Sequence, residues 1–417
     1  MANESLFTQA LGLQSPWKVL KSEMVPNSKT NKMEMHIYIG WIAGAKFPCP
    51  EGECHETECS CYDQGEERTW RHLNFFQYKC FIHARTPRIK CNKHGIKTVK
   101  VPWARPRSGF TLLMDGFILE LARHMAIKTI ADEIGETDTR IWRVIELYVR
   151  DAYEKLEFNE ISHIGVDEYS HRGHNYITVF MTKDRESKKS RVLFVTLGKG
   201  NDTVEEFSKK FIEKGGKKEN ILIVTSDMTH GFRNAMKREF INSTVVVDKF
   251  HVIKMMNDGV DKVRRREAGD GKIEKKTKYI WLKNPENLTD CQRDTFKRLS
   301  KQKLGTGRAY RMRLELQAIY SECLTKDEAK SRMMRLTRWM LLSRLEEMKK
   351  VAKSLRRNME EIINYFTYRT TNAMLEGTNS VISLVKRRAR GFRNMNHFRD
   401  MIYLQSAGLD LPYVTLG

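Results

Sequence analysis

The sequence lacks any apolar run that approaches the about 18 residues needed to cross a bilayer. Its first residues also lack the apolar core of a secretory signal peptide. Acidic residues are outnumbered, because 52 aspartates and glutamates stand against 74 lysines and arginines and leave a net charge of +22. These features argue against a membrane partner and predict a soluble, cytoplasmic protein that binds a polyanion.

Cysteine is scarce after the first hundred residues, which contain six of the eight cysteines. In a reducing compartment such clustering favours a metal site over disulfides. Two pairs have the composition of zinc knuckles, and tetrahedral zinc takes four nitrogen or sulfur ligands. The four predicted ligands are Cys49, Cys54, Cys91 and His94. Cys59 or Cys61 could replace either member of the first pair, and a basic, β-rich module with free thiols is the alternative.

The segment between the two pairs, residues 67–91, alternates aromatic and basic residues. This pattern predicts a β-hairpin with one packed face and one face that meets phosphates. A solvated basic face would give nearly the same pattern, so both interpretations stay open.

Residues 111–153 have helical periodicity, and the spacing of Ala131, Gly135 and Ile141 is typical of a helix-turn-helix. Its second helix, at about Asp138–Tyr153, would enter a DNA major groove. A helical hairpin that merely contains a glycine is the alternative. The predicted DNA contacts on this helix are Thr139, Arg140 and Arg143.

Short β-branched runs and two helical patterns alternate over residues 161–248 in the order βββαβαβ. This order predicts a mixed sheet with right-handed crossovers, as in the ribonuclease-H-like fold. Asp167 lies in the middle of the first strand, and Asp227 directly follows an apolar run. A lone aspartate often ends a strand as a turn residue. Two carboxylates in this topology instead predict a catalytic pair, because an unpaired charge in an apolar setting is costly.

From residue 252 to 365 the sequence has helical periods and almost no strand character, which predicts an all-helical insertion. Its basic runs are either solvated faces or phosphate contacts. A further helix, predicted from Ala373 to Arg390, carries Glu376 and Asn379 on one polar stripe. Such a glutamate fits a metal ligand that precedes phosphate contacts, although an exposed helix face is the alternative. The predicted phosphate contacts are Lys386, Arg387 and Arg390.

Several long blocks resemble the transposases of the ISL3 group of bacterial insertion sequences. The blocks are ERTWRHL, VPWARPRSGFT, GVDEYS, SDMTHGF, VVDKFHV and NAMLEGTNSVISLVKRRARGFRN. The resemblance implies a DDE-type enzyme in which Asp167, Asp227 and Glu376 form the acidic triad. Two Mg²⁺ or Mn²⁺ ions would be held by these acids, and Zn²⁺ would be structural. Supporting roles near the metals or the DNA are assigned to Asp248, His251 and Asn379.

The predicted fold class is a multidomain protein of α+β and α/β type. The predicted domains are a zinc-ribbon-like β-rich module (1–105), a helix-turn-helix (106–157), a ribonuclease-H-like core in two parts (158–251 and 369–417) and an all-helical insertion (252–368). The expected partners are double-stranded DNA, at terminal inverted repeats and at the target, and a second copy of the chain on the bacterial nucleoid. Two alternative functions are a DNA-binding regulator with an inactive core and a structure-selective nuclease.

Overall fold

A computed structural model of the chain divides into two compact units, residues 1–150 with 410–417, and residues 151–409. The residues that the structure describes are 2–52, 54, 58–171, 175–183, 190–228, 230–369 and 373–412. Within these residues no helix is long and apolar enough to span a membrane.

The first unit contains a six-stranded sheet preceded by a short helix. Its elements are α1 (Ala2–Ala10), β1 (Trp17–Pro26), β2 (Met33–Trp41), β3 (Lys46–Phe47), β4 (Cys59–Phe75), β5 (Tyr78–Cys91) and β6 (Gly95–Thr98). The strand order is β1-β2-β5-β4-β3, with β6 beside β5. The predicted hairpin is the antiparallel pair β4 and β5. Trp17, Trp70 and Trp103 are buried in its core, with Trp103 edge-on to both other rings.

Three helices complete the described part of the first unit: α2 (Leu112–His124), α3 (Ile127–Ile134) and α4 (Asp138–Glu154). Thr111 caps α2 by accepting a hydrogen bond from the Met114 amide. Gly135 ends α3 in the left-handed conformation, with φ of +67°, which a residue with a side chain adopts at a cost. Ala131 and Ile141 are fully buried where the helices cross. The structure therefore contains the predicted helix-turn-helix.

A five-stranded mixed sheet lies in the second unit. Its elements are β7 (His163–His171), β8 (Asn175–Lys183), β9 (Ser190–Leu197), α5 (Asn201–Glu213), β10 (Ile223–Ser226), α6 (His230–Glu239) and β11 (Thr244–Val247). The strand order is β11-β10-β7-β8-β9. β10 runs parallel to both β7 and β11, whereas β8 is antiparallel to its two neighbours. Because Thr225 pairs with Gly165, continuation of this register brings Asp227 level with Asp167.

The second unit continues as helices, and those between Lys249 and Tyr368 pack around one large apolar core, whereas the last two contact β9 and each other. The helices are α7 (Lys249–Gly269), α8 (Lys278–Leu282), α9 (Asp290–Ser300), α10 (Gly305–Glu322), α11 (Lys326–Leu342), α12 (Glu346–Arg357), α13 (Met359–Ile363), α14 (Tyr365–Tyr368), α15 (Ala373–Arg388) and α16 (Met395–Ser406). The helix predicted to reach Arg390 ends two residues earlier. Arg390 has a φ of +51° and Gly391 one of +92°, so both lie in the left-handed region that terminates helices.

Candidate functional site

Asp167 lies in β7, and Asp227 directly follows β10, the parallel neighbour of β7. Burial raises the pKa of Asp167, and the negative charge of Asp227 raises it further. Hydrogen bonds from the Glu168 amide and from Asn379, together with the positive charge of His251, oppose this rise. The two predicted acids therefore interact within one partly buried cluster.

Asn379 connects α15 to this cluster. Its Nδ2 donates a hydrogen bond to Oδ2 of Asp167 at 2.7 Å. Its other polar atom, Oδ1, is buried and has no hydrogen-bond partner among the residues that the structure describes. Thr378 and Lys386 fasten the same helix to the sheet, through Ser190 Oγ at 3.3 Å and the Ser170 carbonyl at 3.0 Å. The Asn379 amide thus holds Asp167 with its nitrogen and keeps a buried oxygen close to the cluster.

Glu376, the predicted third acid, lies in the first turn of α15 and three residues before Asn379. Residues three apart are neighbours on a helix surface. The Glu376 side chain lies outside the described residues. Among the side chains that are described, no third carboxylate closes with Asp167 and Asp227 into a metal-binding group, so the role of Glu376 stays a prediction.

Asp248 and His251 lie at the start of α7. Asp248 is the N-cap and accepts a hydrogen bond from the Phe250 amide at 3.2 Å. His251 Nδ1 lies 3.2 Å from the other carboxylate oxygen of Asp248. This hydrogen bond raises the pKa of His251, and the negative charges of Asp167 and Asp227 raise it as well. The hydrogen bond with Asp248 and the charges of the two predicted catalytic acids therefore favour the protonated form of His251.

Glu168 belongs to the same electrostatic cluster, although its pattern in the sequence did not single it out. Burial raises the pKa of Glu168, and the negative charge of Asp227 contributes to the rise. Adjacent strand residues point to opposite faces, so sequence alternation assigns Glu168 away from Asp167. The structure shows that the negative charges of Asp227 and Asp167 both raise the pKa of Glu168. The contribution of Asp227, which follows another strand, could not be read from the sequence.

A groove of about 600 Å³ leads from the cluster between α7 and α12. Asp227 and His251 are among its lining residues. The others are Met228, Lys254, Met255, Asp258, Gly259, Lys262, Glu347, Lys350, Val351 and Ser354. The sequence did not predict this groove, because it depends on the packing of two helices that are far apart in the chain, Lys249–Gly269 and Glu346–Arg357.

The four predicted zinc ligands come together in the first unit, with their ligand atoms all within 4.8 Å of one another. Cys49 Sγ lies 3.6 Å and Cys91 Sγ 3.5 Å from Nδ1 of His94, and Cys54 Sγ lies 3.7 Å from Cys91 Sγ. Tetrahedral zinc, with Zn–S of about 2.3 Å and Zn–N of about 2.0 Å, separates its ligands by about 3.8 Å (S–S) and about 3.5 Å (S–N). The donor set and spacing therefore fit zinc. Cys61, an alternative ligand, instead lies 3.3 Å from the Asp63 carbonyl oxygen.

The predicted DNA contacts of the helix-turn-helix differ in exposure. Thr139 and Arg143 are exposed on α4. Arg140 is partly buried, because its guanidinium pairs with Glu136, donates to the Gly109 carbonyl at 3.3 Å and lies 4.2 Å from the centre of the Phe110 ring. In the second unit Arg387 and Arg390 are exposed, whereas Lys386 is partly covered by its contact with β7.

Comparison with known proteins agrees with this architecture. The ISL3 model described as "Transposase" matches residues 164–402. The helix-turn-helix domain of transposase family ISL3 matches residues 99–149, and the zinc-finger of transposase IS204/IS1001/IS1096/IS1165 matches residues 46–94.

Two relatives match over most of the chain. The transposase for insertion sequence element IS1557 of Mycobacterium tuberculosis is 26% identical over 393 residues, which cover 86% of this chain and 85% of the relative. The transposase for insertion sequence element IS1001 of Bordetella parapertussis is 22% identical over 365 residues, with coverage of 83% and 86%. Because the transposase model spans more than half of the 417 residues, the chain belongs to the ISL3 family of insertion-sequence DNA transposases.

Proposed function

We propose that the acidic cluster of the second unit cleaves DNA at the terminal inverted repeats of the element and joins the freed 3′ ends to target DNA. The observation that carries this proposal is the convergence of four separate elements on one cluster: β7 brings Asp167, β10 is followed by Asp227, α7 brings His251, and α15 brings Asn379. The double-stranded repeats would be read by the helix-turn-helix.

A ribonuclease-H-like core is supported by the sheet of the second unit. Numbered in sequence order, its strands lie as 5-4-1-2-3, and the second strand runs in the opposite direction to the other four. On this interpretation α7–α14 form a helical insertion between the last strand and α15. The insertion then separates Asp227 from Glu376 along the chain without separating α15 from β7.

The donors of the cluster fit a hard divalent cation. Carboxylate oxygens of Asp167 and Asp227 and the unpartnered Oδ1 of Asn379 are oxygen ligands of the kind that Mg²⁺ prefers. The proposed ligands of two Mg²⁺ or Mn²⁺ ions are Asp167, Asp227 and Glu376. The chemistry that the bound ions supply is activation of the attacking oxygen and stabilisation of the leaving oxygen in an in-line displacement.

The chain's own residues orient this site. Asn379 and the Glu168 amide each donate a hydrogen bond to one oxygen of Asp167, at 2.7 and 2.8 Å, and together they orient that carboxylate. Asp248 fixes the ring of His251, whose positive charge offsets part of the repulsion among the acids. Lys386, Arg387 and Arg390 follow on the same helix and are proposed to contact DNA phosphates.

A structural zinc ion in the first unit is proposed to be held by Cys49, Cys54, Cys91 and His94. The reaction also brings two element ends together, so a dimer or higher assembly on the bacterial nucleoid is expected.

The test is incubation of purified protein with labelled DNA that carries the terminal repeats, with Mg²⁺, Mn²⁺ or chelator. We expect metal-dependent nicking at the repeat boundary and joining to a target plasmid. Asp167→Asn and Glu376→Gln should abolish both reactions and retain repeat binding. Asp270→Asn, an exposed carboxylate at the end of α7, is the matched control and should stay active. Specific binding without cleavage under any metal would support a regulator instead, and hydrolysis without joining would support a nuclease.

A further inference from the structure

The groove between α7 and α12 follows one face of α7. Its lining positions on that helix are 251, 254, 255, 258, 259 and 262, which recur at helical spacing. From His251 to Lys262 the helix rises about 16 Å. Because Asp227 lines the groove together with His251, the groove begins at the acidic cluster and leads away from it.

Beyond Asp227, the lining of the groove carries more positive than negative charge, with three lysines against two carboxylates. Lys254 and Lys262 of α7 and Lys350 of α12 line it and are exposed, and within the described parts of the chain none of the three forms an ion pair. Of the two carboxylates beyond Asp227, Glu347 is paired with Arg266 at 3.4 Å, which leaves Asp258 to oppose three lysines. Lysines on a convex surface usually contact only solvent. These three lysines come from two helices and line the same groove, which favours a shared anionic ligand.

The floor of the groove is apolar and narrow. Met228, Met255 and Val351 line it, and Gly259 lets the two helices approach closely. A Cβ atom on Gly259 would lie 2.9 Å from Cγ2 of Val351. Packed helices are about 8–10 Å apart, so a double helix cannot enter between them. The apolar floor and the lysine rim suit the sugars and phosphates of one unpaired strand.

We propose that this groove binds the phosphates of a single DNA strand that adjoins the scissile phosphate. Lys254 and Lys262 are about 12 Å apart along α7, a span that covers successive phosphates of one strand. The proposal rests on the proposed function, because the acidic cluster marks where the scissile phosphate lies. It adds that the helical segment holds DNA next to the reaction centre and selects an unpaired strand there.

The test compares two DNA probes in chelator, where no cleavage is needed. One probe is a repeat duplex that ends bluntly at the cleavage position, and the other continues there as two unpaired strands of six nucleotides. The triple variant Lys254→Gln, Lys262→Gln, Lys350→Gln is compared with Lys301→Gln, Lys303→Gln, Lys353→Gln. The control removes the same charge from exposed lysines of the same helical segment that do not line the groove.

We expect the groove variant to bind the forked probe at least about tenfold more weakly and the blunt probe normally. Its salt dependence on the forked probe should be shallower by about 2 in log–log slope, since each lost single-strand phosphate contact contributes about 0.7. Asp258→Asn, which removes the opposing carboxylate, should tighten binding of the forked probe. Thermal unfolding of each variant identifies a misfolded protein, and Asp258→Asn then remains as the independent measurement.

Two results would overturn the groove assignment: equal behaviour of the groove and control variants on the forked probe, or an equal loss by the groove variant on both probes. A failure of the proposed function would give a result that is distinguishable from a failure of the groove assignment. It would appear as absent cleavage by the wild type in Mg²⁺, or as cleavage that survives Asp167→Asn, whatever the binding data show.

Discussion

Asn379 donates a hydrogen bond to Asp167 across 2.7 Å, although 212 positions separate the two residues. The contact joins the helix that follows the whole helical segment to the strand that carries the first acid. Because Glu376 precedes Asn379 by one helical turn, the same contact fixes the turn that contains the predicted third acid. The geometry of the acidic site therefore depends on a neutral amide.

Replacement of Asn379 by alanine should weaken metal use more than DNA binding. The change frees one oxygen of Asp167 and removes the buried Oδ1, and loss of such an orienting partner typically costs about 10–100-fold in metal affinity or activity. We expect cleavage to require higher Mg²⁺ and repeat binding to stay normal. Ser383→Ala, an exposed change on the same helix, is the control. A normal Mg²⁺ titration in Asn379→Ala would remove Asn379 from the site.

Asp167→Asn should stabilise the second unit when metal is absent. Burial and the charge of Asp227 disfavour the ionised Asp167 carboxylate. Asparagine has nearly the same shape and no charge, so it should remove this unfavourable contribution to the free energy of folding. We expect a rise in unfolding temperature of about 2–4 °C in chelator, as for about 1 kcal/mol. Added Mg²⁺ should stabilise the wild type and not the variant, as calorimetry would measure. A variant that is less stable in chelator would contradict the proposed metal site.

His163 should make the stability of the second unit depend on pH. Burial, together with the charge of Lys183, lowers its pKa to about 4, and its Nε2 lies 3.3 Å from Thr225 Oγ1. A histidine whose folded pKa lies below its unfolded value of about 6.5 contributes stability above pH 6.5, and that contribution is lost as the pH falls towards 4. The expected loss is about 3 kcal/mol at pH 4. Urea unfolding of His163→Gln should show a flatter pH dependence than the wild type, and an unchanged slope would contradict the assignment.

The features that stand out in the sequence have local signals. A carboxylate inside a strand run marks Asp167, and the turn glycine with its buried flanking residues marks the helix-turn-helix. The two predicted ligand pairs of the zinc cluster are each close in sequence, so their spacing was visible, and the four residues come together without Cys59 or Cys61.

The features that the sequence missed depend on contacts between distant residues. The groove exists because α7 packs on α12 at Gly259, and no periodicity within either helix reveals which helix the other will meet. Helical periodicity placed Arg140 among the predicted DNA contacts. In the structure its guanidinium contacts Phe110, thirty residues earlier in the chain, and the periodicity of one helix cannot show such a contact. The end of α15 at Arg388 depends on two left-handed residues, of which only Gly391 is a recognisable signal.

Loss of zinc should unfold the first unit. Cys91 lies within 3.7 Å of ligand atoms from both His94 and Cys54, so Cys91→Ser should reduce bound zinc from about one ion per chain to near none, and metal sites of this kind contribute directly to folding. Elemental analysis and circular dichroism measure the two effects. Cys61→Ser, outside the cluster, should keep the metal. A Cys91→Ser protein with full zinc content would show that other ligands suffice.

Arg143 and Arg140 should separate DNA recognition from stability within one helix. Arg143 is exposed, so Arg143→Ala should weaken repeat binding by about 1–3 kcal/mol and leave the unfolding temperature unchanged. Arg140 already contacts Glu136, Gly109 and Phe110, and its removal should cost about 1 kcal/mol of stability with a smaller effect on binding. Titration of labelled repeat DNA and thermal unfolding of both variants give the comparison. A different outcome, in which Arg140→Ala abolishes binding at unchanged stability, would contradict this division. It would mean that the Arg140 guanidinium leaves Glu136, Gly109 and Phe110 and contacts the DNA when the protein binds.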